Sequence, residues 1–485
     1  MAARARLTPP RVPRRDWPWH TAKASSLPVS VIFKGDRRLE AENYLSDGHG
    51  TRTAVETKTF GWQRFSKVAR AWQPSRLKGI QVSSEFGTPF LAATQVYDVR
   101  PVARKWLSLA KTDNVKERYV NSGAILLTRS GDVGRATLAH STLQDHLISD
   151  DLLRIEPFDA GWSGWIYAYL RAPTVRAILK AAQYGHIIKH LEVGHVADIP
   201  IVDITPKERE AFQDRAKAIL DKRDDAHRLT LEAEKRFEEA FGALNANDLG
   251  EKGFVAKADK LFLSGRRRLD AWHHNPSVDA IRQHLSKSAM SWEAISSLGY
   301  KAWLPTRFRR IPAEDGILFM DSADLFEMSP DITKRIADQN FGDPYNARVR
   351  AGWLLLARSG QIYGLNGTAM MSGSFHENKI ISDHIIRIAP DNPRCRLGYL
   401  FVAMTHPSLG RPRVKALPYG SSIPEIEVED IKSLSIPRLA QSVEDEIAQT
   451  AEDAARLRSE ADELELSLAE DAELIITRFL ASHNA

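Results

Sequence analysis

Cysteine is almost missing from this 485-residue chain, where Cys395 stands alone. A single thiol excludes an internal disulfide framework and a cysteine-based zinc site, and it fits a reducing compartment. Long apolar runs are missing too. The longest uncharged run, Ser359 to Phe375, is rich in Gly, Ser and Thr, so a transmembrane helix is not supported. No G-x-x-x-x-G-K-[ST] segment marks a nucleotide phosphate loop. No Asn-Pro-Pro or Asp-Pro-Pro precedes an aromatic, so no amino-methyltransferase site is visible; Gly342-Asp343-Pro344-Tyr345 is a near miss. The pair His273-His274 invites a metal reading. With no spaced His, Asp or Glu set beside it, it reads as a solvated pair. The N-terminus carries Arg4, Arg6, Arg11, Arg14 and Arg15 among prolines but no apolar segment. It reads as a flexible basic arm, not a secretory signal.

What is present is ordinary in bulk and uneven in distribution. With 43% hydrophobic and 27% charged residues the chain falls in the soluble globular class. Its length suggests about two to four domains. The net charge is +5, yet Gln441 to Ala485 holds twelve acids against Arg456, Arg458 and Arg478, a balance of −9 that leaves +14 on the rest. A basic body with an acidic tail helix fits a polyanion partner; on charge alone, one acidic surface helix on a soluble protein is slightly the better account.

An internal repeat decides the architecture. Arg37-Arg38-Leu39-Glu40-Ala41 returns as Arg267-Arg268-Leu269-Asp270-Ala271, 230 positions on. Ala71 to Lys78 returns as Ala302 to Arg309, offset 231. Gly87 to Asp98 aligns with Gly316 to Glu327, and Gly123 to Gly134 with Gly352 onward, both at offset 229. Ile148 to Pro157 (ISDDLLRIEP) matches Ile381 to Pro390 (ISDHIIRIAP), offset 233. Tyr184-Gly185 matches Tyr419-Gly420 at 235, and Ile199-Pro200 matches Ile436-Pro437 at 237. Matches in one order with slowly growing offsets describe a duplication with small insertions. Within a copy, Ile125 to Thr128, Leu152 to Ile155, Leu354 to Ala357 and Ile385 to Ile388 read as short strands. Thr174 to Gln183 and Val278 to Lys287 read as helices. Each copy is expected to be an α+β domain built on irregular, curled β-structure.

Each copy is followed by a different kind of segment. Phe212, Ala216, Ile219, Arg223, Ala226, Thr230, Ala233, Phe237, Ala240 and Leu244 step by four and three, imperfect at Arg223 and Thr230. Ile447, Thr450, Ala454, Leu457, Ala461, Leu464, Leu468 and Ile475 give a second seam, broken at Asp471. The first helix mixes nine basic with ten acidic residues and the second is acidic, so the two suit each other. The expectation is one antiparallel coiled coil with a globular domain at each end; two separate amphipathic helices are the alternative. The divisions are a basic arm at 1–34, domain 1 at 35–203, a central helix at 204–245, a linker at 246–264, domain 2 at 265–438 and a C-terminal helix at 439–485.

The paired Arg-Leu-acid-Ala starts, the G-x-[IL]-L-L-x-R-S-G and I-S-D-x-[IL]-[IL]-R-I segments, and Tyr-Gly then Ile-Pro before each long helix resemble the specificity (S) subunit of type I restriction-modification systems. The resemblance runs from about residue 35 to 482. It implies two target-recognition domains, each reading one half of a split, asymmetric duplex DNA target, with the helices as a ruler. No catalytic centre or cofactor is expected in this chain, because no motif for one is found. The implied partners are double-stranded DNA, two methyltransferase subunits bringing S-adenosylmethionine, and restriction subunits bringing ATP and Mg, all in a prokaryotic cytoplasm. A Gln often follows the Ile-Pro segment; Gln441 fits that place, while Gln213 comes late.

Candidate DNA contacts follow from charge and position. Arg76 and Lys78, and Arg307, Arg309 and Arg310, follow the W-x-P-[ST]-R turn of each copy, where phosphate contact and a solvated turn weigh evenly. Arg411, Arg413 and Lys415 read as a basic loop found in the second copy only, which suits copy-specific contact. Arg266, Arg267 and Arg268 are either contacts or a charged linker end. Arg129 and Arg358, kept in both copies, suit a shared structural role, and Asp150 and Asp383 a strand-edge or cap role. Two other classes stay open: a single-chain metal-dependent DNA nuclease with dispersed Asp, Glu and Lys, and a protein-only scaffold.

Overall fold

The computed structural model describes residues 29–33, 39–76, 78–112, 114–184, 189–244, 253–259, 268–271, 273–328, 330, 332–338, 347–361, 364–420 and 422–482. The basic arm before residue 29, Arg37, Arg38, Gly185, most of the 246–264 linker, Arg266, Arg267 and Gly342-Asp343-Pro344-Tyr345 lie outside the described residues. The chain mixes helix and sheet throughout.

The short apolar runs are the inner strands of two four-stranded sheets. Ile125–Thr128 and Leu354–Ala357 are buried at every position, because side chains on both faces are covered. Across the first sheet the strands run Ala69–Trp72, Leu152–Pro157, Ile125–Thr128, Ala136–Leu138. Across the second they run Tyr300–Trp303, Ile385–Pro390, Leu354–Ala357, Ala369–Met371. All pairings within both are antiparallel. Register agrees as well: Arg154 lies between Trp72 and Leu126, and Arg387 between Trp303 and Leu355.

Beside each sheet sits a second one, four-stranded in the first unit and three-stranded in the other, in which Phe90 pairs in parallel with Leu147, and Phe319 with Ile380. Here the two units diverge. The first adds short strands at Gln81–Val82 and Lys105–Leu107. The second has one nine-residue strand, Pro312–Met320, bulged between Pro312 and Ile317 and paired with Arg335–Ile336.

Two long helices tie the units together. Pro206–Phe241 opens with a capping box in which Thr205 and Glu208 satisfy each other's backbone N–H groups, with Pro206 in the first turn. It ends at Gly242, whose φ of 85° few other residues would accept. Gln441–Ala481 is the second. Their lengths of 36 and 41 residues correspond to about 54 and 62 Å. Arg215 meets Asp471 (2.7 Å), Lys222 meets Glu460 (2.6 Å) and Arg236 meets Glu446 (3.1 Å). Numbers rise along one helix as they fall along the other, so the helices lie antiparallel.

Half of the expected seam of the second helix is buried, namely Ile447, Ala454, Ala461 and Leu468. Its other members Thr450, Leu457, Leu464 and Ile475 are half-buried, and Ala448, Ala451, Ala469, Ala472 and Ile476 are buried beside it. A straight helix drifts against a strict seven-residue repeat, and this one also packs on both units. Phe212, Ala216 and Ile219 with Leu468, Ala472 and Ile476 complete the first unit's core. Phe237 and Phe241 with Ile447, Ala448 and Ala451 complete the second's.

Glycine allows the closest approaches. A Cβ on Gly164 would stand 2.4 Å from the backbone nitrogen of Gln213, and one on Gly398 would stand 2.2 Å from the carbonyl oxygen of Ala448. The Gly164 N–H donates to Gln213 Oε1 (2.7 Å) and the Gly398 N–H to Glu452 Oε1 (3.0 Å). Gln213 therefore has a packing role at its own place, while Gln441 bonds Asp445 on the exposed face (3.0 Å).

The units are not wholly separated by the helices. Val99 N–H donates to Phe326 O (2.9 Å) and Met328 N–H to Tyr97 O (2.6 Å), flanking a bridge between Asp98 and Glu327. Each partner lies 229 positions from its counterpart, so equivalent segments meet across a local two-fold.

Candidate nucleic-acid interface

In both units the basic turn leaves the outer strand just after a tryptophan. Pro74 and Pro305 are buried at those turns and aim the following residues outward. In the first unit Ser75 anchors the turn: its carbonyl accepts from Arg118 Nη2 (2.8 Å), its N–H donates to Glu117 (3.1 Å), and its hydroxyl accepts from Asn114 (2.8 Å). Arg76 and Lys78 then stand exposed, with no ion pair to another described residue. In the second unit Asp383 holds Arg310 (2.8 Å) and lies 3.7 Å from Arg307, while Arg309 is exposed without such a partner. Arg310 also lies over the Phe319 ring, 4.9 Å from its centroid.

The equivalent acids brace these turns through different residues. Asp150 faces the fully buried Arg118 (3.8 Å) and its carbonyl accepts from Gln73 (2.9 Å). Asp383 uses the turn's own arginines.

The arginine of each I-S-D motif is internal. Arg154 donates to the carbonyls of Ser149 (2.9 Å) and Ile148 (3.3 Å), and Arg387 to those of Ser382 (2.9 Å) and Ile381 (2.6 Å). Burial lowers both pKa values, to about 10 and about 9. Each guanidinium ties together the carbonyls of its own strand turn.

Arg129 and Arg358 also share a place. The carbonyl of Arg129 accepts from Leu191 N (2.8 Å) and that of Arg358 from Ile426 N (3.0 Å). Arg358 pairs with Glu425 (2.8 Å) and Glu427 (3.4 Å). The Tyr-Gly motifs close neighbouring loops, with Tyr184 bridged to His190 and Tyr419 to Glu425.

The second-unit segment around residue 413 corrects the sequence reading. Arg411–Lys415 is a short helix, not a loop, and Arg413 and Lys415 are buried. Arg413 donates to the Ser435 carbonyl and lies over Trp292, 5.1 Å from the ring centroid, while Lys415 donates to Gly364 O (3.0 Å). Both side chains are spent on these buried contacts, so neither is presented to a duplex. Arg411 is partly buried and faces inward, onto a cavity. Arg268 is likewise buried, bound to Asp270 (2.5 Å) and to the Pro418 carbonyl (2.6 Å). His273 and His274 meet the carbonyls of Ala416 (3.2 Å) and Arg268 (2.7 Å). Of the eight candidate contacts, Arg76, Lys78 and Arg309 are left exposed and without an ion-pair partner among the described residues; Arg307 and Arg310 are exposed but shared with Asp383.

The chain is similar to solved type I specificity subunits. A type I restriction-modification S subunit from M. genitalium is 12% identical, with 87% of this chain and 96% of that chain covered at a TM-score of 0.30. A chain from a study of assembly and conformational transition of the type I R-M system is 13% identical over 88% and 100%, TM-score 0.26. The HsdS subunit from Thermoanaerobacter tengcongensis is 13% identical over 88% and 98%, TM-score 0.24. Superpositions this loose carry no residue correspondence. No protein-family model and no curated protein matches the chain. Among the described residues no helix is long and apolar enough to cross a membrane.

Proposed function

We propose that this chain is a non-catalytic DNA-specificity subunit of a type I restriction-modification system. In this reading domains 35–203 and 265–438 each recognise one half of an asymmetric, bipartite duplex target. The observation that carries it is the pairing of equivalence with difference. Two sheets of one order and register sit at opposite ends of an antiparallel helix pair, and each presents a basic turn at the same place with different neighbouring loops. A shared scaffold fixes where the reading loops stand, and their differences give each half-site its own sequence. The helix pair acts as a coiled-coil ruler: about 54 Å suffices to hold two modules over successive turns of one duplex face, roughly 34–36 Å apart.

The partners in this proposal are double-stranded DNA, two methyltransferase subunits that bring S-adenosylmethionine, and restriction subunits that bring ATP and Mg. The complex would work in a prokaryotic cytoplasm. Fluorescence anisotropy with a mixed-sequence duplex, using the chain alone and with its methyltransferase partner, tests the reading. Binding that weakens steeply as salt rises is expected. Failure to bind at any salt would favour a protein-only scaffold, and Mg- or Mn-dependent cutting by the purified chain would favour a nuclease.

A further inference from the structure

A cavity of about 170 Å³ opens where the two units meet, beside the middle of both long helices. Its polar lining is unbalanced. Arg100 is matched by Glu234 in a two-armed ion pair. Arg104 and Arg411 have no carboxylate within ion-pair distance among the described residues, and Arg458 spends its hydrogen bond on the neutral Thr230 hydroxyl, with Glu234 and Asp462 near enough to offset part of its charge. Among the described residues Asp98 is the only carboxylate on the wall. Phe326 and Phe401 line the apolar side.

The crowding also acts on the neighbouring groups. Lys415, just behind this wall, has its pKa pushed down to about 7, first by burial and then by Arg411 and Arg104. Burial and Arg100 also lower the pKa of Arg411. A cation drawn partly out of water and short of counter-charge, as Arg411 is, raises the free energy of the empty state. Guanidinium groups converging on one cavity match the geometry of phosphate oxygens.

We propose that this cavity binds a small phosphate-bearing molecule, with Arg104, Arg411 and Arg458 on the phosphate and Phe326 and Phe401 against a compact apolar or aromatic body. The space is well above what a single water needs, and a small ligand can enter it. The site lies on the seam between the units, apart from the exposed basic turns, and does not depend on the DNA-reading proposal. The phosphate is either that of a free molecule or one on a nucleic-acid strand; the chemistry is the same, and competition separates the two.

The test is isothermal titration calorimetry and thermal unfolding of the full chain with inorganic phosphate and with adenosine monophosphate, repeated in the presence of a short duplex. Saturable binding with a raised Tm is expected. Arg411→Gln and the exposed Arg104→Gln should each weaken it roughly 10- to 100-fold. Asp98→Asn should tighten it, since it removes the one anion facing the ligand. Arg411→Gln should unfold no earlier than the parent without ligand, because it relieves like-charge crowding. Loss of mononucleotide binding when the duplex is added would identify the strand as the phosphate's source, and retention a free molecule. No saturable binding of either probe, or binding unchanged in both arginine variants, would overturn the proposal.

Discussion

Replacing Glu465 with leucine tests how the helix pair is fixed to the first unit. Glu465 is 1% exposed and sits on the second long helix. Its carboxylate pairs with Arg223 of the first helix and lies 3.6 Å from Arg171 of Ser163–Arg171. Asp462 adds a second contact to Arg223 (2.9 Å). One acid therefore serves two guanidiniums from two other elements. Removing one member of a buried ion pair costs about 3–5 kcal/mol, most of it from the charge left behind. In Glu465→Leu, Arg171 keeps only the Ala136 carbonyl (3.2 Å) and the nearby Tyr167 ring, so a loss in that range is expected. Arg223→Leu should cost less, because Glu465 retains Arg171. The double variant should be more stable than the sum of the two losses by over about 1 kcal/mol. Equilibrium denaturation followed by far-UV circular dichroism supplies the cycle. A Glu465→Leu chain within about 1 kcal/mol of the parent, or strictly additive losses, would refute the reasoning.

The remaining predictions concern glycine, charge and pH. Gly164→Ala and Gly398→Ala each force a methyl group onto helix backbone, so each should lose about 1–3 kcal/mol or more in thermal unfolding. A serine at either place should do no better. Arg76→Gln, Lys78→Gln and Arg309→Gln should leave the unfolding curve unchanged and lower the slope of log K against log salt by about one each, as read in anisotropy titrations. Arg413→Gln should do the reverse, costing stability while leaving the salt slope alone. Asp98 has its pKa pushed up to about 6 by burial and by Glu327. A raised carboxyl pKa adds stability that is complete below the unfolded value of 3.8 and is lost as pH rises through 6. The parent should therefore lose about 2–3 kcal/mol from this group between pH 4 and 7. Asp98→Asn should match the parent at pH 4 and exceed it at pH 7.5 in urea melts; a parallel pH profile would contradict the assignment.

Local features reached the sequence surface and long-range ones did not. The strands at 125–128 and 354–357 were legible because a buried strand needs consecutive apolar residues and ends in a turn. The repeat was legible because both copies need an arginine under the same strand turn and glycines at the same turns. Gly123 and Gly352 both have positive φ, near 84° and 79°. Arg223 read as a flaw in the heptad seam because its partner, Glu465, lies 242 positions away and has no periodic signature. Arg413 and Lys415 read as surface charge because sequence records the charged tip and not the stem that packs. The Asp98–Glu327 bridge and the arginine-lined cavity beside it come from the way the units meet, which no local pattern encodes. Of the candidate interface, the two basic turns were visible from their W-x-P-[ST]-R frame, while the holding of Arg307 and Arg310 by Asp383 needed the tertiary fold.

The most direct measurement of the central claim is single-molecule methylome sequencing of the host with and without this chain. The account predicts that methylation disappears at one asymmetric motif made of two specified halves around an unspecified spacer, and returns when the chain is restored. A methylome in which no bipartite motif depends on the chain would contradict it.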